Sequence, residues 1–171
     1  MSVKFVWPDG PSGAKVMIVG EAPGKEEEKQ GIPFVGRSGK LLNKVLEELG
    51  IKREEVYVTN IVKVRPANNR TPTQEEMSSW IPLLEQEIKN VRPHIIVPLG
   101  NCATQVLLGK NVKITEYRGS TVVSTIGGAR NLIMPAFHPS YILRNKNKYD
   151  IFKEDLKRAT EVIRNDKQGD L

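Results

Sequence analysis

Cysteine is almost absent from this sequence, and its scarcity excludes several kinds of site. Cys102 is the single cysteine in a chain of 171 residues. One thiol rules out an internal disulfide, and it also rules out an iron–sulfur cluster or a zinc site that draws several thiolates from this chain. We therefore predict no metal site.

Long apolar runs are missing as well. No run approaches the roughly 20 residues that span a bilayer, and the first residues, MSVKFVWP, are too few and too interrupted for a signal peptide. We expect a soluble, intracellular, cytoplasmic protein with no membrane partner. The length fits one monomeric domain over residues 1–171 with a frayed polar tail at about 165–171.

The composition is that of a globular protein with a basic bias. Hydrophobic residues make up 39% and charged residues 27% of the chain, which excludes a disordered acidic chain and a collagen-like chain. Twenty-six Lys and Arg against twenty Asp and Glu give a net charge of +6. This bias favours polyanionic partners without identifying one.

Apolar runs alternate with helical patterns along the chain. This alternation predicts an α/β fold in which helices cover both faces of a mostly parallel central sheet, with ligands bound beyond the carboxyl ends of its strands. The predicted elements are strands at residues 14–20, 56–61 and 94–99, helices at 40–49, from Thr73 to Asn90 and up to Leu108, a hairpin-like pair within 120–136, and a final helix carrying 151–163.

The loop after the first predicted strand stands where a phosphate-binding motif would occur. Residues 20–25 read GEAPGK, but the Gly-to-Gly-Lys spacing is too short, and Glu26 replaces the Ser or Thr that would bind magnesium. No G-x-G-x-x-G fingerprint occurs at this junction. A nucleotide triphosphatase is therefore disfavoured, and the loop remains a turn that presents the carboxylate of Glu21.

Three further loops place an aromatic or polar side chain near the same predicted sheet edge. Phe34 lies in a loop bounded by glycine and proline, where its ring can stack on a base, and Asn60 ends the second strand with an amide that can read a base edge. His138 follows the last apolar run. Each residue alone has an ordinary structural interpretation, but their joint placement after successive strands favours a shared site.

Five short motifs resemble, in order, those of family 4 uracil-DNA glycosylases. They are GEAPG at residues 20–24, PFVG at 33–36, TN at 59–60, RPANNR at 65–70 and HPS at 138–140. The resemblance implies the three-layer α/β/α fold of the uracil-DNA glycosylase superfamily. It also implies a prokaryotic DNA-repair enzyme that hydrolyses the bond between uracil and deoxyribose, leaving an abasic site and free uracil.

The resemblance implies a role for each residue of the uracil pocket. Phe34 would stack on the extruded uracil, and Asn60 would bind its N3–H and O4, which excludes cytosine. His138 would donate a hydrogen bond to O2 of the departing uracil anion. Glu21 would place the attacking water or stabilise the cationic sugar.

Two other groups of residues are assigned by the same resemblance. The backbone at Gly20 and Ala22 would line the pocket, and Ala22 stands where some relatives outside the family carry a water-activating Asp, so no strong general base is evident. A second group would contact single- or double-stranded DNA or fill the gap left by the flipped base. Its members are Lys63, Arg65, Arg70, Ser140, Ile142, Leu143 and Arg144.

The sequence departs from the family at the metal site. Family 4 members usually hold a four-iron cluster on four cysteines, and none of those positions is cysteine here. We predict that no cluster is present and that Trp80, Val64 and the segment at residues 5–7 fill its volume, with Cys102 buried as a small apolar residue.

Three alternatives remain open from the sequence. The chain could be a catalytically silent DNA- or nucleotide-binding paralogue on the same fold, a decayed paralogue whose loops lost order with the cluster, or a flavodoxin-like protein that binds a small phosphorylated ligand. Acceptance of thymine, hypoxanthine or xanthine, and the preference for single- or double-stranded DNA, also remain open.

Overall fold

A five-stranded sheet forms the centre of the computed structural model, which describes residues 3–169. The strands are β1 (Val16–Gly20), β2 (Tyr57–Asn60), β3 (Ile95–Pro98), β4 (Val122–Ile126) and β5 (Ala129–Ile133). Their spatial order is β2-β1-β3-β5-β4, and all neighbouring pairs are parallel except β4 with β5. The predicted mostly parallel sheet is confirmed.

Helices connect the strands and cover the sheet. Within the described residues, no helix is both long enough and apolar enough to cross a membrane. The α-helices are α1 (Lys25–Gln30), α2 (Arg37–Glu48), α3 (Gln74–Val91), α4 (Gly100–Leu108), α5 (Ile114–Tyr117), α6 (Pro139–Arg144), α7 (Tyr149–Ala159) and α8 (Glu161–Gly169).

The period of two in β1 builds a core on each face of the sheet. Val16 and Ile18 pack on the side that holds the apolar faces of α2, α6, α7 and α8. Met17 and Val19 pack on the other side, against α3 and α4. Because successive side chains of a strand point to opposite faces, one apolar run serves two helical layers. The predicted three-layer α/β/α arrangement is confirmed.

Local signals set several helix boundaries as the sequence predicts. The Thr73 hydroxyl accepts from Glu76 N at 3.1 Å, and the Glu76 carboxylate accepts from Thr73 N at 3.2 Å, so the capping box opens α3. Gly50 has a φ of 76° just beyond α2, a left-handed conformation that favours glycine.

The final helix differs from the prediction in two respects. It breaks at Thr160, whose hydroxyl donates to the Leu156 carbonyl at 2.7 Å and competes with the helical pattern. The chain then continues as α8 to Gly169, where we expected a frayed tail from residue 165. Lys167 pairs with Glu55 at 2.7 Å and Asp166 pairs with Lys15, which ties this turn to the body of the fold. Residues 170 and 171 lie outside the described part.

The carboxyl ends of the inner strands meet at one edge. Gly20 ends β1 in register with Asn60, which ends β2. Beyond β3 and β5 the pairing continues, because Gly100 N donates to Ala136 O at 2.8 Å. This extension carries the chain to His138 at the same edge, so the segments bearing the predicted polar residues converge there.

Candidate active site

A cavity of about 500 Å³ opens at this sheet edge. It brings together most of the site residues predicted from the sequence, although they come from five separate stretches of the chain. Those lining it are Glu21, Ala22, Phe34, Asn60, Arg70, His138, Ser140 and Arg144.

Gly20 lets an aromatic ring and an amide meet at the end of β1. A Cβ atom on Gly20 would lie 2.4 Å from Asn60 Oδ1 and 2.5 Å from Phe34 Cζ. Both distances are far below van der Waals contact, so any side chain here would push the two groups apart. Glycine is therefore required at position 20 by its close packing against two residues that line the cavity, although Gly20 is not itself part of the lining.

Phe34 forms one wall of the cavity from a loop with an unusual backbone. Its φ is 53°, a left-handed conformation that a bulky residue rarely adopts. Arg53 donates to the carbonyls of Phe34 at 3.1 Å and of Pro33 at 2.6 Å. The Glu27 carboxylate accepts from Val35 N at 2.9 Å and from the next backbone N–H at 2.6 Å. Two charged side chains therefore hold the ring in place.

Gly39 removes the remaining obstacle to this loop conformation. A Cβ atom there would lie 2.0 Å from the carbonyl carbon and oxygen of Phe34, so α2 can pass beneath the loop only with glycine at this position. Sequence reasoning missed Gly39, Arg53 and Glu27 because each acts on Phe34 through the backbone and across a sequence separation, with no local motif to signal it.

Asn60 forms a second wall of the cavity at the end of β2, next to the Phe34 ring. The residue is only 3% exposed and lines the cavity. Its backbone is fixed by the parallel register with Gly20 and by Ile61 N, which donates to Gly20 O at 2.9 Å. The buried amide has two donor hydrogens and an acceptor oxygen, which suits it to a heterocycle that offers a matching edge.

The predicted role of Lys63 in DNA binding is wrong. The residue is fully buried and lies beneath Asn60, where its ammonium contacts Glu87 at 2.7 Å. Ile61 and Val62 enter the core immediately after β2, and they carry Lys63 inward with them. The start of the basic segment at residues 63–70 is therefore buried, and only its later residues are exposed.

His138 is held as a neutral hydrogen-bond donor. Its Nδ1 accepts from the backbone N–H of Ser140 at 3.0 Å and lies 2.8 Å from the Ser140 hydroxyl. Because a backbone N–H can only donate, Nδ1 is unprotonated and the ring proton of the neutral form belongs on Nε2. Burial, with a contribution from the Arg144 charge, lowers the pKa of His138 to about 4. The imidazole is therefore neutral at physiological pH.

His138 and Phe34 face the same space. Their ring centroids are 6.0 Å apart with an interplanar angle of 36°. Asn60 Oδ1 and the Phe34 ring both lie next to Gly20, so the three side chains line the same part of the cavity.

Glu21 lies between this cavity and a neighbouring one of about 430 Å³. Burial raises the pKa of its carboxyl group. Its backbone is anchored where Val62 N donates to Glu21 O at 3.1 Å. The carboxylate is thus a partly desolvated group with access to the rim of the site, where the sequence places it.

The residues predicted to contact DNA differ in their exposure and in their hydrogen-bond partners. Arg144 is exposed at the cavity rim. Arg70 also lines the cavity but pairs with both carboxylate oxygens of Glu76, at 2.6 and 3.1 Å. Arg65 is partly buried and donates to Asn69 at 2.7 Å. Ser140 supports the imidazole ring.

The residues predicted to fill the gap left by the flipped base require a further correction. Residues 139–144 form the helix α6, and Ile142 faces the core with only 2% of its surface exposed. It is not available to enter DNA, so that prediction is wrong. Leu143, on the adjacent face of the helix, is half-buried beside an apolar groove and is the member of the pair with accessible surface.

An aromatic cluster packs beside the basic loop. Phe5 stacks on Trp7 with ring centroids 5.0 Å apart and meets the edge of Trp80 at 6.1 Å. Phe5 also pairs with Val64 through an antiparallel bridge, and Val6 N donates to Lys63 O at 2.7 Å. The segment at residues 5–7 is thereby attached to the start of the loop at 64–70.

The side chains present do not fit a four-iron cluster. Such a cluster needs four thiolates, and the chain has one cysteine. Residues 3–169 contain no group of three or more His, Cys, Asp or Glu placed to hold a metal ion. Cys102 is half-buried rather than fully buried, lies 3.0 Å from Met77 Sδ, and has its pKa raised to about 12 by burial.

Comparison with known proteins identifies relatives over most of this chain. The family model of the uracil DNA glycosylase superfamily matches residues 7–163. A type-4 uracil-DNA glycosylase of Thermotoga maritima is 44% identical over 91% of this chain and 81% of its own length. One from Saccharolobus solfataricus is 41% identical over 91% of this chain and 74% of its own. A type-5 uracil-DNA glycosylase of Pyrobaculum aerophilum is 31% identical over 89% and 74%.

Proposed function

The chain belongs to the uracil-DNA glycosylase superfamily, and from that membership we propose that it is a DNA-repair enzyme that removes uracil from DNA. It hydrolyses the bond between uracil N1 and deoxyribose C1′ and releases free uracil, leaving an abasic site. The observation that carries the proposal is the meeting of Phe34, Asn60 and His138 around one cavity.

Recognition of uracil rests on the first two of these residues. The Phe34 ring stacks on the face of the flipped base. The Asn60 amide accepts from N3–H and donates to O4, whereas cytosine offers an unprotonated N3 and an amino group at the same places. Because the amide is buried, a mismatched base would leave polar groups unpaired, which supports discrimination on the order of 10⁴-fold.

Departure of the base depends on His138. Cleavage leaves negative charge on uracil, spread over N1 and its carbonyl oxygens, and positive character on the sugar. The Nε2–H of the neutral imidazole donates to O2 and stabilises this anion in a site sheltered from water. Ser140 keeps Nδ1 as the acceptor and so keeps the proton on the nitrogen that faces the substrate.

Glu21 acts on the sugar side of the bond. A carboxylate there stabilises the cationic sugar electrostatically and orients the water that adds to C1′. Ala22 offers no second carboxylate, so base departure, and not strong activation of water, carries most of the rate.

Binding of the DNA backbone is assigned to the rim of the cavity. Arg144, Arg65 and Arg70 provide positive charge for phosphates, and Arg70 must exchange its Glu76 partner to do so. Ser140 is assigned a contact with DNA at the same rim. Leu143 supplies apolar surface near the position that the flipped base leaves.

Several narrower expectations belong to the same proposal. We infer that the enzyme acts as a single-domain monomer without a soluble cofactor or an iron–sulfur cluster. Phe5, Trp7 and Trp80 pack together, and we infer that they fill the volume that the cluster would occupy in the family; this packing argues against a decayed paralogue with loosened loops. Metal analysis of the purified protein tests this part, since stoichiometric iron would contradict it.

The test of the main proposal is a glycosylase assay on oligonucleotides containing U:G, U:A, T:G and single-stranded U. Alkali-sensitive cleavage at uracil alone is the expected result, and Asn60→Asp should erode the preference for uracil. DNA binding without uracil release would support the catalytically silent paralogue instead. Absence of bound flavin in the purified protein would count against a flavodoxin-like role.

A further inference from the structure

A buried polar network lies directly beneath the residue that reads the base. The Lys63 ammonium contacts Glu87 Oε2 at 2.7 Å, Thr59 Oγ1 at 2.9 Å and the backbone carbonyl of Asn60. The Tyr57 hydroxyl donates to the other oxygen of Glu87 at 3.0 Å. Nothing in the proposed reaction uses these groups, although Lys63 contacts the backbone of Asn60, which lines the cavity.

The network is matched to a charged lysine. An ammonium has three hydrogens, and three acceptor oxygens surround the Lys63 nitrogen. Burial lowers the pKa of Lys63, and the neighbouring Glu87 carboxylate opposes that shift. A buried charge of this kind is tolerated only when it is paired and fully hydrogen-bonded.

The position of Asn60 explains why a cation there has consequences for the site. β2 is an outer strand of the sheet. It pairs along its length with β1, and on its other side Val58 alone among the described residues of the strand is bridged, by Asp9. Asn60 is the last residue of β2, two residues beyond that bridge, so its sheet partner is Gly20 on one side. The Lys63 contact supplies the missing constraint on the Asn60 carbonyl, and Thr59 is held by the same ammonium.

We propose that Lys63 is a positioning residue for base recognition, fixing the backbone of Asn60 so that its side-chain amide is aimed into the cavity. The inference rests on the proposed function, because Asn60 is a reader only if uracil occupies that cavity. Glu87 and Tyr57 hold Lys63 in place, so their effect on Asn60 passes through the lysine.

A purely structural role is the competing explanation, and a double-mutant cycle separates the two. Lys63→Met, Asn60→Ala and the double variant are compared with wild type in single-turnover uracil excision, at a temperature where circular dichroism shows all four folded. A misplaced reader should slow excision by about 10²-fold with DNA affinity little changed. In the Asn60→Ala background, Lys63→Met should add little, because its effect passes through the missing amide. An undiminished effect in that background would overturn the proposal.

Asp155 supplies the matched control. It is a fully buried carboxylate paired with Arg118 at 2.7 Å and Arg158 at 2.6 Å, on α7 and away from the cavity lining. Asp155→Asn should lower the melting temperature while leaving the excision rate of the folded protein unchanged. A comparable loss of rate in this control would mean that any damaged buried ion pair slows the enzyme, and the proposal would fail.

If Lys63→Met does not fold, Tyr57→Phe/Lys63→Met/Glu87→Leu replaces it, since this variant removes both charges of the buried pair together with the Tyr57 hydroxyl and leaves no unpaired buried charge. It should fold and still excise slowly; wild-type rates would overturn the proposal.

A spectroscopic readout does not depend on activity. In protein labelled with ¹⁵N-asparagine, the Asn60 side-chain amide signals should shift in the Lys63 variant and stay in place in Asp155→Asn. Unmoved signals in the Lys63 variant would overturn the proposal. An inactive wild type would instead overturn the proposed function, while the amide signals would still decide whether Lys63 orients Asn60.

Discussion

The two walls of the cavity are built in different ways. Phe34 stands on a loop with a left-handed backbone, held by Arg53 and Glu27. Asn60 is the last residue of β2, and His138 follows the extension of β5, so sheet register sets the place of both. The strand wall is thus positioned by pairing that also builds the core, whereas the loop wall depends on a few dedicated contacts. Substitutions should therefore affect the two walls differently.

The largest expected effect comes from removing the donor on the strand wall. His138→Ala should lower the single-turnover rate by about 10²–10³-fold, because one oxyanion donor is lost, while DNA affinity changes little. Rapid-quench assays and a binding titration measure the two quantities. His94→Ala, at the only other histidine and on the exposed surface, is the control. A rate near wild type in His138→Ala would remove this residue from the reaction.

A methyl group on Gly20 should damage both walls at once. The added Cβ would overlap Phe34 Cζ and Asn60 Oδ1, and displacing reacting groups by about 1 Å can cost on the order of 10²-fold in rate. Gly13→Ala provides a control, because a Cβ there has nothing within 4 Å. Equal activity of the two variants would show that the walls are not packed as described.

Breaking the loop wall alone should cost stability as well as activity. Arg53→Ala removes charged hydrogen bonds to two carbonyls and to Asn43, each such bond being worth about 1.5–3 kcal/mol. The expected signature is a raised KM with a smaller loss of kcat, since Phe34 contributes stacking rather than charge stabilisation. Arg53→Lys should recover part of the loss, and a variant indistinguishable from wild type would contradict the clamp.

The prediction with the smallest effect on activity concerns the dependence of stability on pH. With the pKa of His138 at about 4, below the ordinary 6.5 of histidine, the native ring stays neutral while the unfolded chain takes up a proton between these values. Protonation therefore favours the unfolded state, and the free energy of unfolding should fall as pH drops from 6.5 towards 4. The ring signals of His138 in NMR, assigned with His94→Ala, should titrate near pH 4. A midpoint near 6.5 would contradict the buried neutral donor.

The residues that line both walls could be predicted from the sequence, but the contacts that hold the loop wall could not. Apolar runs locate the strands, and residues at strand ends converge at one edge by topology alone, which is how Asn60 and His138 are found. The inward turn of Lys63 and the burial of Ile142 could not be predicted. A basic or apolar residue in a short connection carries no periodic pattern that fixes its direction.

Contacts across long sequence separations were also beyond sequence reasoning. Arg53 acts on a loop nineteen residues away through backbone carbonyls, a partner available at any position. The break at Thr160 follows from one hydroxyl that bonds the helix backbone, although apolar spacing continues through it. In both cases a specific hydrogen bond overrides the pattern of the surrounding residues.

The most direct test is a crystal structure of the His138→Ala variant bound to uracil-containing DNA. The account predicts a flipped uracil stacked on Phe34, with the Asn60 amide at its N3 and O4 edge and the vacated imidazole space beside O2. A uracil that lies outside this cavity, or that touches neither Phe34 nor Asn60, would contradict it.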